Sequence, residues 1–452
     1  METPTDADLR LLRLILDLTE GRQGRPPTLA EIAVAAGFQS SSRGNIQRQL
    51  LRLKPRYVTW TSSPRSLMVT SAGRGLLGRD RSQEGAIALP VSDAPLALLA
   101  SGVTWLADAV SEGRPLQIPY PIAWQRGLNL LAAECLQRGV TPPCHTLEAL
   151  QWCQRPILSW PISFTFPSRL LDQPLLEGEQ PTELCRELAL GVASGEAEFE
   201  HCENRMQHVR MEAAVRRSQE GYVAFRRYVI ENPVVTEEGL LTASFELGLE
   251  HFGGELQDIY EPIPSYFFQD ESLWLCGRCG WTLERRDGRQ RCGDDRCRKL
   301  TANFTRGTRT LSAKASEHWL RVRRPIRRYI VVPGLYEVEV FRQLQALQYD
   351  AELWPGFDSY DLRIAFVNGQ TWAVDLKDWR YPHLLARHLT PLSSEGNLRW
   401  DKAFYVIPDD RVADSPSYLN SLHSATEQLD FTVMAISEFL AAVQTEGEGV
   451  HG

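Results

Sequence analysis

Apolar residues recur at helical spacing at Leu11, Leu12, Leu14, Ile15 and Leu18, which predicts an amphipathic helix early in the chain. Gly24-Arg25-Pro26-Pro27 breaks it. Thr28 is placed to cap a second short helix, with Glu31 three residues on completing a capping box and Gly37 as its left-handed stop. A third helix follows the serine cluster at 40–42 and carries Ile46, Leu50, Leu51 and Leu53. Two strand-like runs, 57–60 and 67–70, come next. Long helical patterns then dominate, clearest over 183–194 and 196–228, between Pro-rich interruptions. Past residue 328 the period alternates. It predicts a strand at 329–332, a helix at 334–348 and an extended run at 350–353. A hairpin of 360–367 and 370–377 around Asn368-Gly369 follows, then a helix at about 380–390. A strand at 403–407, a helix near 415–429, a strand at 431–436 and a final helix from Ser437 complete the pattern.

This succession predicts a multidomain α+β chain of four parts: 1–78, a mostly helical connecting or partner-binding region at 86–265, a cysteine module at 272–310, and an α/β domain with a mixed sheet at 325–446. The length of 452 residues agrees, at about 100–200 residues per domain. No uninterrupted apolar run reaches the length of a membrane-spanning helix; the most apolar stretch, 86–110, is broken by Pro90, Asp93, Pro95 and Asp108. With no signal-like start and with scattered cysteines, a reducing cytoplasm and no membrane partner are expected.

The net charge of −8 argues against a nucleic-acid partner only if the charge is evenly spread. Residues 1–80 carry 12 Lys/Arg against 7 Asp/Glu, and residues 276–328 carry 16 against 5. The chain is therefore acidic with two basic islands. The first island has three helices and a β-hairpin, the pattern of a winged helix-turn-helix. Through Pro26-Pro27-Thr28-Leu29-Ala30-Glu31-Ile32-Ala33 and Gly37-Phe38-Gln39-Ser40 it resembles the DNA-binding domain of LexA-type repressors. Ser42, Arg43, Asn45, Gln47 and Arg48 would lie on the open face of the third helix, and Asn, Gln and Arg pair bidentately with base edges. Arg65 at the wing tip would meet a phosphate or the minor groove. The competing reading is a protein-interaction module with a solvated basic face.

The second island contains Cys276-Gly-Arg-Cys279 and, twelve residues later, Cys292-Gly-Asp-Asp-Arg-Cys297. A CxxC knuckle supplying two thiolates from one tight turn, then a CxxxxC pair one or two residues longer than usual, joined by a hairpin turning at Asp287-Gly288, make a zinc-ribbon signature. Four cysteines close the coordination shell, so a structural Zn²⁺ is expected rather than a catalytic one. Arg323, Arg324, Arg327 and Arg328 follow closely and are expected to contact phosphate.

The last region carries the chemistry. Residues i and i+2 share one face of a strand, so Asp375 and Lys377 project together. If Asp361, fourteen residues earlier, converges on them, two carboxylates make a hard-cation site of the kind Mg²⁺ prefers. A lysine beside it can orient or deprotonate an attacking water. A two-residue Asn368-Gly369 loop would turn Asp361 to the wrong face. A three-residue loop, Val367-Asn368-Gly369 with Gly369 left-handed, pairs Phe366 with Gln370 and puts Asp361 across from Asp375.

Pro355-Gly356-Phe357-Asp358-Ser359-Tyr360-Asp361 followed by Asp375-x-Lys377 resembles the PD-(D/E)xK nuclease superfamily, which includes restriction endonucleases. The continuation Lys377-Asp378-Trp379 resembles restriction-endonuclease-related proteins of bacterial defence islands, including those encoded beside PIWI-like proteins. The resemblance implies an endonuclease dependent on Mg²⁺ or Mn²⁺, with double-stranded DNA as substrate and 5′-phosphate products. Asp361 and Asp375, with the Leu376 carbonyl, would hold the metal and Lys377 would activate water. Glu337, with Glu339 in reserve, would be the acidic residue of the first core helix, binding a second metal or a metal-bound water. It also implies partners from a defence operon, a PIWI-like protein or a helicase. A double-strand break needs two active sites, as in a homodimer, or two encounters. The alternative is a non-catalytic DNA-binding regulator or adaptor that uses the nuclease-like fold as a platform.

Overall fold

The computed structural model describes residues 6–20, 27–28, 31–32, 50–54, 58–59, 67–69, 93–111, 113–116, 118–192, 195–286, 288–294, 296–298, 308–313, 317–394, 396–426 and 431–448. The chain divides into two compact units, 1–88 and 89–452. In the first, helix α1 (Asp6–Glu20) lays Leu11, Leu12, Ile15 and Leu16 into a small core with Ile32, Leu50, Leu53, Val58, Leu67 and Val69. The expected capping box is present: Glu31 Oε2 accepts from the Thr28 N–H at 2.7 Å, and the Glu31 N–H donates to Thr28 Oγ1 at 3.4 Å. β1 (Val58–Thr59) pairs antiparallel with β2 (Met68–Val69), with Val58 opposite Val69. Ser42, Arg43, Asn45, Gln47, Arg48 and Arg65 lie outside the described residues.

The second unit opens with α2 (Ala94–Ser111) and α3 (Ile122–Gln137). α2 is long and apolar enough to cross a membrane by length and composition, yet 67% of it is buried inside the unit. Its burial rests on close approach: a Cβ at Gly102 would lie 2.6 Å from the Trp124 backbone, and one at Gly127 would lie 2.8 Å from the Leu99 nitrogen. The long pattern over 196–228 splits in two. α4 (Glu183–Leu190) is capped by Thr182. α5 (Ala197–Arg216) ends where Arg217 turns left-handed (φ 56°), and Ser218 caps α6 (Gln219–Glu231). α6 buries Tyr222, Phe225, Val229 and Ile230.

The cysteine module follows β3 (Val234–Thr236), β4 (Tyr260–Pro262) and β5 (Phe268–Gln269). It runs from β6 (Ser272–Leu275) through the antiparallel pair β7 (Glu284–Arg286) and β8 (Arg289–Arg291). β9 (Arg309–Ser312) returns to pair with β6, and β10 (Trp319–Val322) sits between β3 and β4.

Residues 329–332 are helical rather than a strand. Arg324–Ile326, a π-helical turn over Arg327–Val331 and α7 (Val332–Ala346) run on continuously. The β-branched run Ile330-Val331-Val332 imitates a strand, but Ile330 and Val331 pack into the core shared with α6. The widened turn precedes Pro333, which has no N–H to give to a regular helical bond. α7 also passes close to α6, because a Cβ at Gly334 would lie 2.4 Å from Ile230 Cδ1.

A five-stranded mixed sheet then forms in the order β11 (Asp350–Leu353), β12 (Leu362–Ala365), β13 (Thr371–Leu376), β14 (Lys402–Ile407), β15 (Thr432–Ala435). β11, β12 and β13 are antiparallel, and β13, β14 and β15 are parallel. The helix expected at 380–390 is confined to Pro382–Leu385, and the last described element is α8 (Ile436–Glu448). One core joins the side chains of α5 and α6, the four clustered cysteines and one face of this sheet. Three of the four expected parts therefore share a core within one compact unit.

Candidate active site and cysteine cluster

The hairpin adopts the register that the candidate site requires. Leu362 pairs with Val374 and Ala365 with Thr371, so the ladder closes on Phe366 and Gln370 around a three-residue loop with Gly369 at φ 84°. The Gly369 N–H donates back to the Phe366 carbonyl at 2.9 Å. At the far end the strand leaves the regular ladder. The Asp361 N–H donates to the Val374 carbonyl at 3.0 Å, so Asp361 and Leu362 both face Val374 as in a β-bulge. The bulge aims the Asp361 carboxylate at the end of β13, where Oδ2 accepts from the Leu376 N–H at 2.6 Å. Asp375 and Lys377 share a face, and Lys377 Nζ donates to Asp375 Oδ1 at 2.8 Å.

α7 supplies the third carboxylate. Glu337 is buried, whereas Glu339 faces outward and accepts from Gln343. Burial and the neighbouring Glu337 and Asp375 carboxylates hold Asp361 well above the usual carboxylate range. Burial also raises Glu337, against the pull of Arg226. Burial works to lower Lys377, but Asp375 and Asp361 outweigh it and keep the ammonium charged. That state suits orienting a water and stabilising phosphoryl charge better than abstracting a proton.

The turn before Asp361 is strained. Trp354 (φ 47°), Gly356 (φ 60°), Phe357 (φ 58°) and Asp358 (φ 78°) are all left-handed, and three of the four are not glycine. Helix α6 holds it. Gln219 donates to the Trp354 carbonyl at 2.7 Å and accepts from the Phe357 N–H at 2.9 Å. Tyr222 donates to Asp358 at 3.1 Å. Arg226, 5% exposed, pairs with Asp358, donates to Glu337 Oε2 at 2.9 Å and lies 4.6 Å over the Trp354 ring. Trp354 Nε1 donates to the same Glu337 oxygen at 2.5 Å. Sequence reasoning missed Gln219, Trp354 and Arg226. A signal for Arg226 existed: a charged residue at i+4 within the apolar face Tyr222, Phe225, Val229, Ile230.

The strand exit beyond Lys377 is braced from α4. Glu187 accepts from the Arg380 and Tyr381 N–H groups at 2.6 and 3.1 Å. Arg411 links Asp378 (2.7 Å) to Glu183 (2.5 Å).

The four cysteines come together. Cys276, Cys279, Cys292 and Cys297 are buried, with all four sulfurs within 4.8 Å of one another. Among the described residues this is the one group of three or more ligating side chains gathered that closely. Gly280 takes φ 67° behind the first pair, where a Cβ would lie 2.7 Å from Pro233. Such a thiolate set suits a structural Zn²⁺. Guanidinium groups offset its excess negative charge: Arg278 lies 3.4 Å from Cys297 Sγ and Arg327 lies 3.6 Å from Cys292 Sγ.

The four arginines expected to contact phosphate are engaged within the fold to differing degrees. The Arg327 side chain is 1% exposed and lies between the cysteines and Asp294. Arg324 and Arg328 pair with Glu198 at 2.7 Å each. Arg323 is the most exposed of the four, at 40%, and donates to the Asp258 carbonyl. Arg324, Arg327 and Arg328 thus meet thiolates and buried carboxylates, while Arg285, Arg289, Arg291, Arg298 and Arg309 of the same basic island stay exposed, a division that composition cannot show. Arg296, beside Cys297, reaches across to Asp410 at 2.9 Å, Tyr336 at 2.7 Å and Asp378. Asp378 directly follows Lys377, so an ion pair from the cysteine module ends one residue along the chain from the candidate active site.

Residues 334–451 match the family model described as a REase associating with pPIWI_RE. Residues 96–236 match that of domain Y of the pPIWI_RE three-gene island. No curated protein and no solved structure matches the chain. The two family matches make the chain similar to restriction-endonuclease-associated proteins of pPIWI_RE islands.

Proposed function

We propose that this chain is the nuclease of a pPIWI_RE-type defence island, a divalent-metal-dependent endonuclease acting on double-stranded DNA. The observation that carries the reading is the convergence of Asp361, Asp375 and Lys377 at one end of an antiparallel hairpin, within the segment matched to the endonuclease-associated family. The donors fit Mg²⁺: they are hard oxygens, and Asp361 is crowded by negative charge that a cation would relieve. Asp361 and Asp375, with the Leu376 carbonyl, would hold the ion. When bound, it supplies Lewis-acid stabilisation of phosphoryl charge. Lys377, kept protonated, donates to a phosphoryl oxygen and fixes the attacking water in line. Asp375 holds the Lys377 ammonium in place through their 2.8 Å contact. The four cysteines would hold a structural Zn²⁺, and the N-terminal unit would bring DNA to the site. Partners from the same island would dock on the region that matches domain Y.

The test is cleavage of plasmid DNA with and without Mg²⁺. Asp375→Ala and Lys377→Ala should each lower the rate by about 10²–10⁴-fold. Undiminished cleavage in both variants would sink this mechanism. Metal-independent DNA binding with no nicking by the wild type would favour the platform reading instead.

A further inference from the structure

Around the hairpin end stand four carboxylates, Glu337, Asp358, Asp361 and Asp375, with the half-buried cation Lys377 and the buried cation Arg226. The cations divide the acids. Lys377 serves Asp375 at 2.8 Å. Arg226 serves Glu337 at 2.9 Å and pairs with Asp358. Arg226 is locked there: it is 5% exposed, stacked over Trp354 and set on an apolar helix face, and Trp354 Nε1 donates to the same Glu337 oxygen. Among the described residues Asp361 and Asp375 are not gathered with a third ligating side chain as the four cysteines are. A second divalent ion beside Glu337 would sit against a guanidinium that cannot leave into solvent.

We infer that Arg226, contributed by the segment matched to domain Y, is the resident counter-cation of the Glu337–Asp358 half of the site. The site therefore takes one divalent ion, at Asp361 and Asp375, and Glu337 is a positioning residue for Trp354 and Arg226 rather than a metal ligand. This rests on the metal-dependent reading given above and specifies it.

The test counts Mn²⁺ ions bound to the zinc-loaded full chain by electron paramagnetic resonance. Wild type and Glu337→Gln should each bind one ion, and Asp361→Asn none. Arg226→Met should gain a second ion, and adding Glu337→Gln to it should remove that gain. Two ions in the wild type would overturn the inference and leave the metal-dependent reading standing. So would loss of the single ion in Glu337→Gln, or an Arg226→Met protein that folds and still binds one. No ion in the wild type would overturn both. If Arg226→Met fails to fold, the wild-type and Glu337→Gln counts decide. One and one supports the inference; two and one, or one and none, overturns it.

Discussion

Asp361 is buried beside Glu337 and Asp375, so its carboxyl holds its proton well above the ordinary range. The unfolded chain releases that proton near pH 4. Between those two points the folded state binds the extra proton, so stability falls as pH rises. Asp361→Asn removes the buried charge while its side-chain oxygen can still accept from Leu376. Without added divalent metal, this variant should be more stable than wild type at neutral pH, on the order of 1 kcal/mol. The gain should vanish below about pH 4, where both states are protonated. Thermal unfolding across pH checks it; a gain that persists below pH 4 would mean that charge is not the cause. Saturating Mg²⁺ should reverse the order, because it stabilises only the protein that binds it.

Among the elements, the hairpin and the cysteine module each make a separable prediction. Gly369 is left-handed, and a Cβ added there would meet nothing within 4 Å. Gly369→Ala should therefore cost about 1–2 kcal/mol of backbone strain. Cleavage should be unchanged, since the register is also held by the pairs from Leu362–Val374 to Ala365–Thr371. Loss of cleavage would show that the loop alone sets the register. Arg296 ties the cysteine module to Asp378 and Asp410. Arg296→Ala leaves the buried Asp378 with Arg411 as its remaining ion-pair partner among the described residues, and should cost about 3–5 kcal/mol in thermal or urea unfolding. Zinc content, measured by atomic absorption, should stay at one per chain, because Arg296 is not a ligand. Removing zinc should in turn depress cleavage, because the module shares its core with α6 and the sheet.

For the molecule as a whole, the division at 88/89 predicts that residues 89–452 fold without the N-terminal unit and keep zinc and metal-dependent cleavage. Their affinity for DNA should fall, and the dependence of binding on salt should flatten, as phosphate contacts are lost. An insoluble or zinc-free fragment would show that the two units are not independent. Much was legible in the chain itself. The cysteine spacing, the Thr28–Glu31 capping box, the three-residue loop and the shared face of Asp375 and Lys377 all depend on neighbours within about twenty residues, where backbone geometry leaves few choices. Tertiary packing decided the rest. Glu337 rather than Glu339 faces inward because α7 lies against α6. Residues 329–332 are helical because their apolar side chains enter that same core. Arg324, Arg327 and Arg328 turn inward because buried thiolates and carboxylates await them. Arg226 reaches Glu337 across 111 residues of sequence. Local pattern sets which face a side chain shares, but what that face meets depends on packing between distant segments.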